Sequence, residues 1–125
     1  MKYPAIAKLV LSKGVDNVTV PENIRFLAMS EAGLLLFKER QYEESGKAFA
    51  KAGDKESLIE AADFLSKQGQ WKSASYFIIH SGDQKKIEAC ALECMQQEHY
   101  LEARNLFQKV GNENMLTFLS SNFDA

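Results

Sequence analysis

Three glycines, Gly53, Gly82 and Gly111, stand 29 residues apart, and a neighbourhood of like residues moves with them. The same step joins Tyr42, Trp71 and Tyr100, then Ser45, Ala74 and Ala103, then Phe49, Ile78 and Phe107. After each glycine come Asp54, Asp83 and Asn112, followed by Leu58, Ile87 and Leu116, and then by Ala61, Cys90 and Leu119. A chain that repeats at this interval buries its apolar surface between neighbouring copies, because one unit is too short to enclose a core by itself.

Within a unit the apolar residues fall at Leu58, Ala61, Ala62 and Leu65 and again at Trp71, Ala74, Phe77 and Ile78, the spacing of two amphipathic helices. Gly69-Gln70 separates the two helices, and Gly82-Asp83 separates one pair from the next. A glycine just past a helix end takes the left-handed conformation without a Cβ penalty, and the Asp or Asn after it offers a side-chain oxygen to the next helix. The pattern predicts an all-α fold, an α-solenoid of antiparallel helix hairpins. Helices are expected near 3–13, 21–39, 42–52, 55–68, 71–81, 84–97 and 100–110, with a partial helix at 113–121 as an eighth. Small residues at 45, 74 and 103 and at 33, 62 and 91 mark close approaches of helix axes, and Tyr42, Trp71 and Tyr100 fill the open end of each hairpin.

Residues 3–14 can be laid on residues 42–53, so the chain opens on half a repeat. An insertion follows at 15–28, in which Thr19-Val20-Pro21-Glu22 reads as a capping box with proline at the first helical position. One domain over 1–125 is expected, with repeats at 29–57, 58–86 and 87–115 and the partial helix at 113–121.

Gly69-Gln70-Trp71-Lys72-Ser73-Ala74, with Ile78 beyond, resembles the hairpin core of tetratricopeptide repeats, and Ala32-Gly33 before Leu36 matches that family's first helix with Ala in place of Leu. The resemblance covers about Met29 to Phe123, and no unit carries the full consensus. The units are shorter than the family's and lose its proline-bearing turn, which makes them similar also to the short helical repeats of clathrin heavy chain, coatomer, intraflagellar-transport and helicase-associated solenoids. The resemblance implies a right-handed superhelix, and a ligand-facing surface on the first helix of each hairpin. Those positions are Ser30, Leu34, Phe37 and Lys38, then Ile59, Asp63, Ser66 and Lys67, then Glu88, Leu92, Met95 and Gln96. The family's carboxylate clamp needs Lys and Asn where this chain has Ser30 and Leu34, so that specificity is not implied. What is left is a partly apolar strip of Leu34, Phe37, Ile59, Leu92 and Met95, fit for a partner helix or extended peptide, unless the shorter repeat turns these residues into contacts between hairpins.

Composition narrows the function. A net charge of −2 with Lys and Glu interspersed gives no basic stripe for a phosphate backbone, and the register from Leu34 to Asp63 to Leu92 is no base-reading code, so no nucleic-acid partner is expected. No apolar run reaches membrane-span length, and the N-terminal residues lack a signal-peptide pattern. Cys90 and Cys94 read as small core residues in the register of Ala61 and Leu65, consistent with a reducing, cytoplasmic setting. Together with His99 they could be taken for part of a zinc site, but a fourth ligand is missing nearby. His80 and His99 have no nucleophile or acid at a suggestive spacing, and Glu43-Glu44 and Glu60 with Asp63 lie on polar faces. Lys85 and Lys86 oppose the dipole at a helix start and are either solvated, as adjacent lysines usually are, or in contact with an acidic partner. No cofactor and no catalytic residue are expected. The reading is a protein-binding scaffold; the alternative is a segment of a larger solenoid, of helicase or trafficking type, that packs end to end or self-associates. An RNA-binding helical repeat is the more distant possibility.

Overall fold

The repeat register sets where each helix starts and stops. The structure is a computed structural model that describes residues 1–123. Among them, eight α-helices follow in order: α1 (Pro4–Lys13), α2 (Glu22–Lys38), α3 (Tyr42–Ala52), α4 (Lys55–Lys67), α5 (Trp71–Ile78), α6 (Gln84–Gln96), α7 (Tyr100–Val110) and α8 (Glu113–Asn122). A single 3-10 turn, Val15–Asn17, lies between α1 and α2. The fold is all-α, and helices adjacent in sequence pack on each other as expected of a helical repeat.

The Gly-Asp signal works as its chemistry requires. Asp54, Asp83 and Asn112 each accept an N–H three residues on, from Ser57, Lys86 and Met115, all at 3.1 Å. Gly53, Gly82 and Gly111 have φ of 75°, 75° and 69°. Inside the hairpins a second left-handed position recurs in register: Gly69 at 73°, but also Arg40 at 60° and Glu98 at 65°. Two non-glycine residues therefore hold a conformation that costs an L-residue about 1–2 kcal/mol.

Helix ends fall within one residue of the sequence reading except at the end of α5, and two of the departures have a visible cause. The capping box at Thr19 does not form: Pro21 is extended, with φ −53° and ψ 141°, the helix starts one residue later, and no side chain caps it. Helix α5 stops at Ile78 rather than 81, because His80 and Ser81 bond back only three residues, to the Phe77 and Ile78 carbonyls, and the Ser81 hydroxyl also donates to Ile78 O at 2.7 Å.

The insertion is part of the core. Val15, Val18 and Val20 are buried with Ala7, Val10, Met29 and Leu36 in a cluster that closes on Ala48 of α3. Its backbone is tied to α3: the Lys51 ammonium donates to the carbonyls of Val15 (3.3 Å) and Val18 (2.6 Å), and Val15 N–H donates to Glu44 Oε1 at 3.3 Å. At the other end of α1 the buried Glu31 carboxylate accepts the Lys2 and Tyr3 N–H groups, both at 2.7 Å. These free donors of a helix start are thus satisfied from α2. The second core runs from Phe49 through Leu58, Phe77, Ile87 and Phe107 to Leu119.

The two helices of a hairpin play different parts in the stack. The backbones of the second helices α3 and α5 pack closely and those of α5 and α7 more lightly, whereas the backbones of α2, α4 and α6 stand apart and meet through side chains. The closest approach is at Gly46, where a Cβ would run into the backbone carbonyl of Tyr76 on α5. One unit on, the register holds Ser75, and there α5 and α7 leave a small cavity of about 40 Å³. Gly33 serves the same end within the first hairpin: a Cβ there would lie 2.6 Å from the Phe49 ring.

Candidate functional site

Helices that stand apart leave grooves, and the grooves obey the repeat. Between α2 and α4 lies a cavity of about 220 Å³ lined by Leu34, Phe37, Ser57, Glu60, Ala61 and Phe64, with Phe49 beneath. Between α4 and α6 a cavity of about 180 Å³ is lined by Asp63, Ser66, Ile78, Lys86, Ala89 and Cys90, among others. Each of these six is 29 residues on from a residue of the first cavity. The fold therefore presents one site twice, in different chemistry. A third junction in the same register carries Leu92, Met95, Met115 and Phe118, of which Leu92 and Phe118 are exposed.

The first groove is built on a rigid floor. The Phe37 ring meets Tyr42 at 5.3 Å, Phe77 at 5.7 Å and Phe64 at 6.1 Å between centroids, in tilted and edge-on arrangements. Such contacts hold an aromatic group in place beyond its burial alone. Leu34 and Phe64, by contrast, are 51% and 52% exposed.

The second groove is polar at its mouth. Lys86 Nζ stands 3.8 Å from Asp63 Oδ1 with both side chains exposed, a pair worth at most about 1 kcal/mol. This gives Lys86 an acidic neighbour within the chain. Cys90 lines the cavity, and it and Cys94, one turn on, are free and buried, with their Sγ atoms 4.0 and 3.6 Å from the Trp71 carbonyl oxygen. The Cys94 thiol is pushed well above its ordinary value, chiefly by its hydrogen bond with Cys90 and then by burial. Among the described residues no group of three or more His, Cys, Asp and Glu side chains is placed to hold a metal ion. His80, after α5 and beside Gly46 of α3, is held below the ordinary imidazole value by partial burial first and then by the Lys109 and Lys47 charges.

The residues singled out in the sequence are distributed as follows. Leu34 and Phe37 come together in the first groove, and Lys38 is exposed one turn beyond Leu34. Asp63 belongs to the second groove, and Lys67 is exposed at the end of α4. Leu92 is exposed on α6, Met95 is half-buried against the core, and Gln96 is exposed. The apolar strip is consequently interrupted by Asp63 and Lys86 rather than continuous.

Ile59 lies in a register with a different task. Ser30 Oγ donates to Asp54 Oδ2 at 2.8 Å, and Asn112 Nδ2 donates to Glu88 Oε1 at 2.5 Å. Each bond joins one first helix to the N-cap residue of the next, so Ser30 and Glu88 are committed to holding neighbouring units together. Ile59, between them in the register, is half-buried.

Phe64 is the groove residue that the repeat pattern hides. Its counterparts are Leu35, Glu93 and Asn122, so the register marks the position as variable. Only its place one turn after Glu60 on an otherwise polar helix edge signals an exposed aromatic.

Among the described residues no helix is long and apolar enough to cross a membrane. Comparison with protein-family models, with curated proteins and with solved structures finds no match for this chain.

Proposed function

We propose that this chain is a non-catalytic protein-binding scaffold that takes a partner peptide or helix along the face built by α2, α4, α6 and α8. The observation that carries this reading is the groove repeated between successive first helices, with Leu34 and Phe64 half exposed over an ordered aromatic floor. Exposed apolar side chains at a concave, pre-formed site are the pattern of an anchor-binding surface, and burying one large side chain there contributes about 1.5–3 kcal/mol. The grooves are smaller than the roughly 300–1,000 Å³ of sites that enclose drug-sized ligands, which favours side chains over a cofactor as occupants. Two buried free thiols fit a reducing, cytoplasmic setting.

The test is affinity capture from a lysate with mass-spectrometric identification, comparing the native chain with a Leu34→Glu, Met95→Glu variant whose helicity is unchanged. A partner held by the native chain and lost by the variant supports the face; equal capture by both removes it.

A second reading, end-to-end packing with a longer solenoid or another copy, draws on exposed Phe26 and Leu27 on α2 and Phe118 on α8. Static light scattering that gives a strict monomer at high concentration argues against self-association.

A further inference from the structure

The α2–α4 groove carries more information than its apolar floor. Leu34 and Phe64 are not demanded by the repeat, since their counterparts one unit on are Asp63 and Glu93. Four charges stand around them in a definite order. Glu60 lines the cavity one turn before Phe64, and Glu56 lies one turn earlier on the same helix. Lys67 lies one turn after Phe64, and Lys38 one turn after Leu34. All four are exposed. The ion pairs among the described residues join Lys47 to Asp16 and Glu44, and Lys86 to Asp63, so none of the four is paired among the described residues. Along the direction of α4 the groove is therefore acidic, then apolar, then basic, over about 16 Å from Glu56 to Lys67.

We propose that this groove holds one amphipathic helix of a partner protein, running antiparallel to α2 and α4. That helix presents a carboxylate to Lys38 and Lys67, seats a large apolar side chain between Leu34 and Phe64 one turn later, and offers a cation to Glu60 and Glu56 one turn beyond. The proposal rests on the binding-face reading above and gives it a partner chemistry.

Three arguments select this occupant. The first is size: a cavity of about 220 Å³ takes one or two side chains, which is what a single anchor on a helix supplies. The second is backbone valence. The described residues offer no strand edge, so an extended peptide would have to leave its N–H and C=O groups to water or to side chains, whereas a helix arrives with its own satisfied. The third is polarity, in which separate effects agree. An antiparallel helix sets its positive N-terminus beside the negative C-terminal ends of α2 and α4. An acidic residue in its first turn and a basic one in its last also stabilise that helix itself. The order Asp or Glu, then Phe, Trp or Leu four residues on, then Lys or Arg four further on, puts all three on one helix face.

The experiment pans a displayed library of helix-forming peptides of about 20 residues on the whole chain, and titrates the most enriched peptide, made synthetically, by calorimetry. The acid, apolar, base order is expected to emerge. Phe64→Ala is expected to weaken the peptide about ten-fold or more, and a Glu60→Lys, Lys67→Glu chain is expected to select the reversed charge order. Phe64, Glu60 and Lys67 are exposed, so these variants keep the fold, and circular dichroism verifies it. Enrichment without a charge order, or undiminished binding to Phe64→Ala, overturns this proposal and leaves a binding face elsewhere standing. A library from which nothing enriches overturns both.

Discussion

Replacing Gly46 by alanine sets two effects of opposite sign against each other, and the structure decides between them. Glycine in the interior of α3 costs about 1 kcal/mol relative to alanine through helix propensity alone, so on an isolated helix the substitution stabilises. In the stack the new methyl meets the Tyr76 backbone carbonyl, which cannot move aside as a side-chain tip can. The axes of α3 and α5 have to separate, along a contact that includes the Phe49 and Phe77 rings, 6.3 Å apart. Overpacking of a closed contact costs typically 1–3 kcal/mol, and a backbone obstacle lies at the upper part of that range. The expected balance is a net loss of about 1–2 kcal/mol, a fall in melting temperature of about 4–8 °C for a chain of this size. Thermal and urea denaturation followed by circular dichroism and by Trp71 fluorescence measure it, the tryptophan lying at the start of α5, one of the two helices in the affected contact. A rise in stability of about 1 kcal/mol would refute the reasoning, since it would mean that propensity acts unopposed and that α3 and α5 need no close approach.

Arg40→Gly and Glu98→Gly are each expected to gain about 0.5 kcal/mol by relieving a positive φ, read as a higher urea midpoint; a loss at both would show that those side chains contribute more than the strain costs. Asp54→Ala is expected to cost about 2 kcal/mol, because it removes a helix cap and strands the buried Ser30 hydroxyl, against about 1 kcal/mol for Asp83→Ala, whose side-chain oxygen caps α6 but accepts no such bond from α4; equal losses would remove the interhelical role of Ser30. Glu31 is held below the ordinary glutamate value, first by the Lys2 N–H and then, against the opposing effect of burial, by the Tyr3 N–H. A carboxylate depressed on folding contributes stability that is present above its unfolded value and lost as pH falls through its folded one, so hydrogen exchange in α1 should accelerate below about pH 4, and Glu31→Gln should abolish that dependence. Cys90 and Cys94 are expected to react with a disulfide reagent at neutral pH far more slowly in the native chain than in urea, as burial and a raised Cys94 thiol require; equal rates would show that the second groove opens to its floor.

The helices were legible because the stop and start signals are chemical and local. Gly53-Asp54, Gly82-Asp83 and Gly111-Asn112 state both a left-handed residue and a cap, and each behaves so. What escaped the sequence depends on partners distant along the chain. The insertion reads as a connection, yet Val15, Val18 and Val20 enter the core because Lys51 and Glu44, some thirty residues on, satisfy its backbone. Thr19 has the right spacing for a cap, and the extended Pro21 starts α2 one residue too late for it. Arg40 and Glu98 take a glycine's conformation because the register imposes the turn that Gly69 suits. In the first groove, Leu34 and Phe37 could be placed from the first-helix register, whereas Phe64 could not, since its counterparts Leu35, Glu93 and Asn122 share no character. Ser30 and Glu88 looked like surface positions because the groups they bond lie on the next unit.

That the second helices pack while the first stand apart also decides how the stack yields to force. The contact of α3 with α5 acts as a hinge line between the first two hairpins, as the binding does in a book. Bending that fans α2 from α4 is resisted by side chains, such as Phe37 on Phe64 and Ser30 on Asp54, whereas bending the other way is stopped by the abutting backbones at Gly46 and Tyr76. The first two hairpins are therefore expected to yield more readily in one direction than in the other, and the width of the groove between α2 and α4 follows their relative tilt.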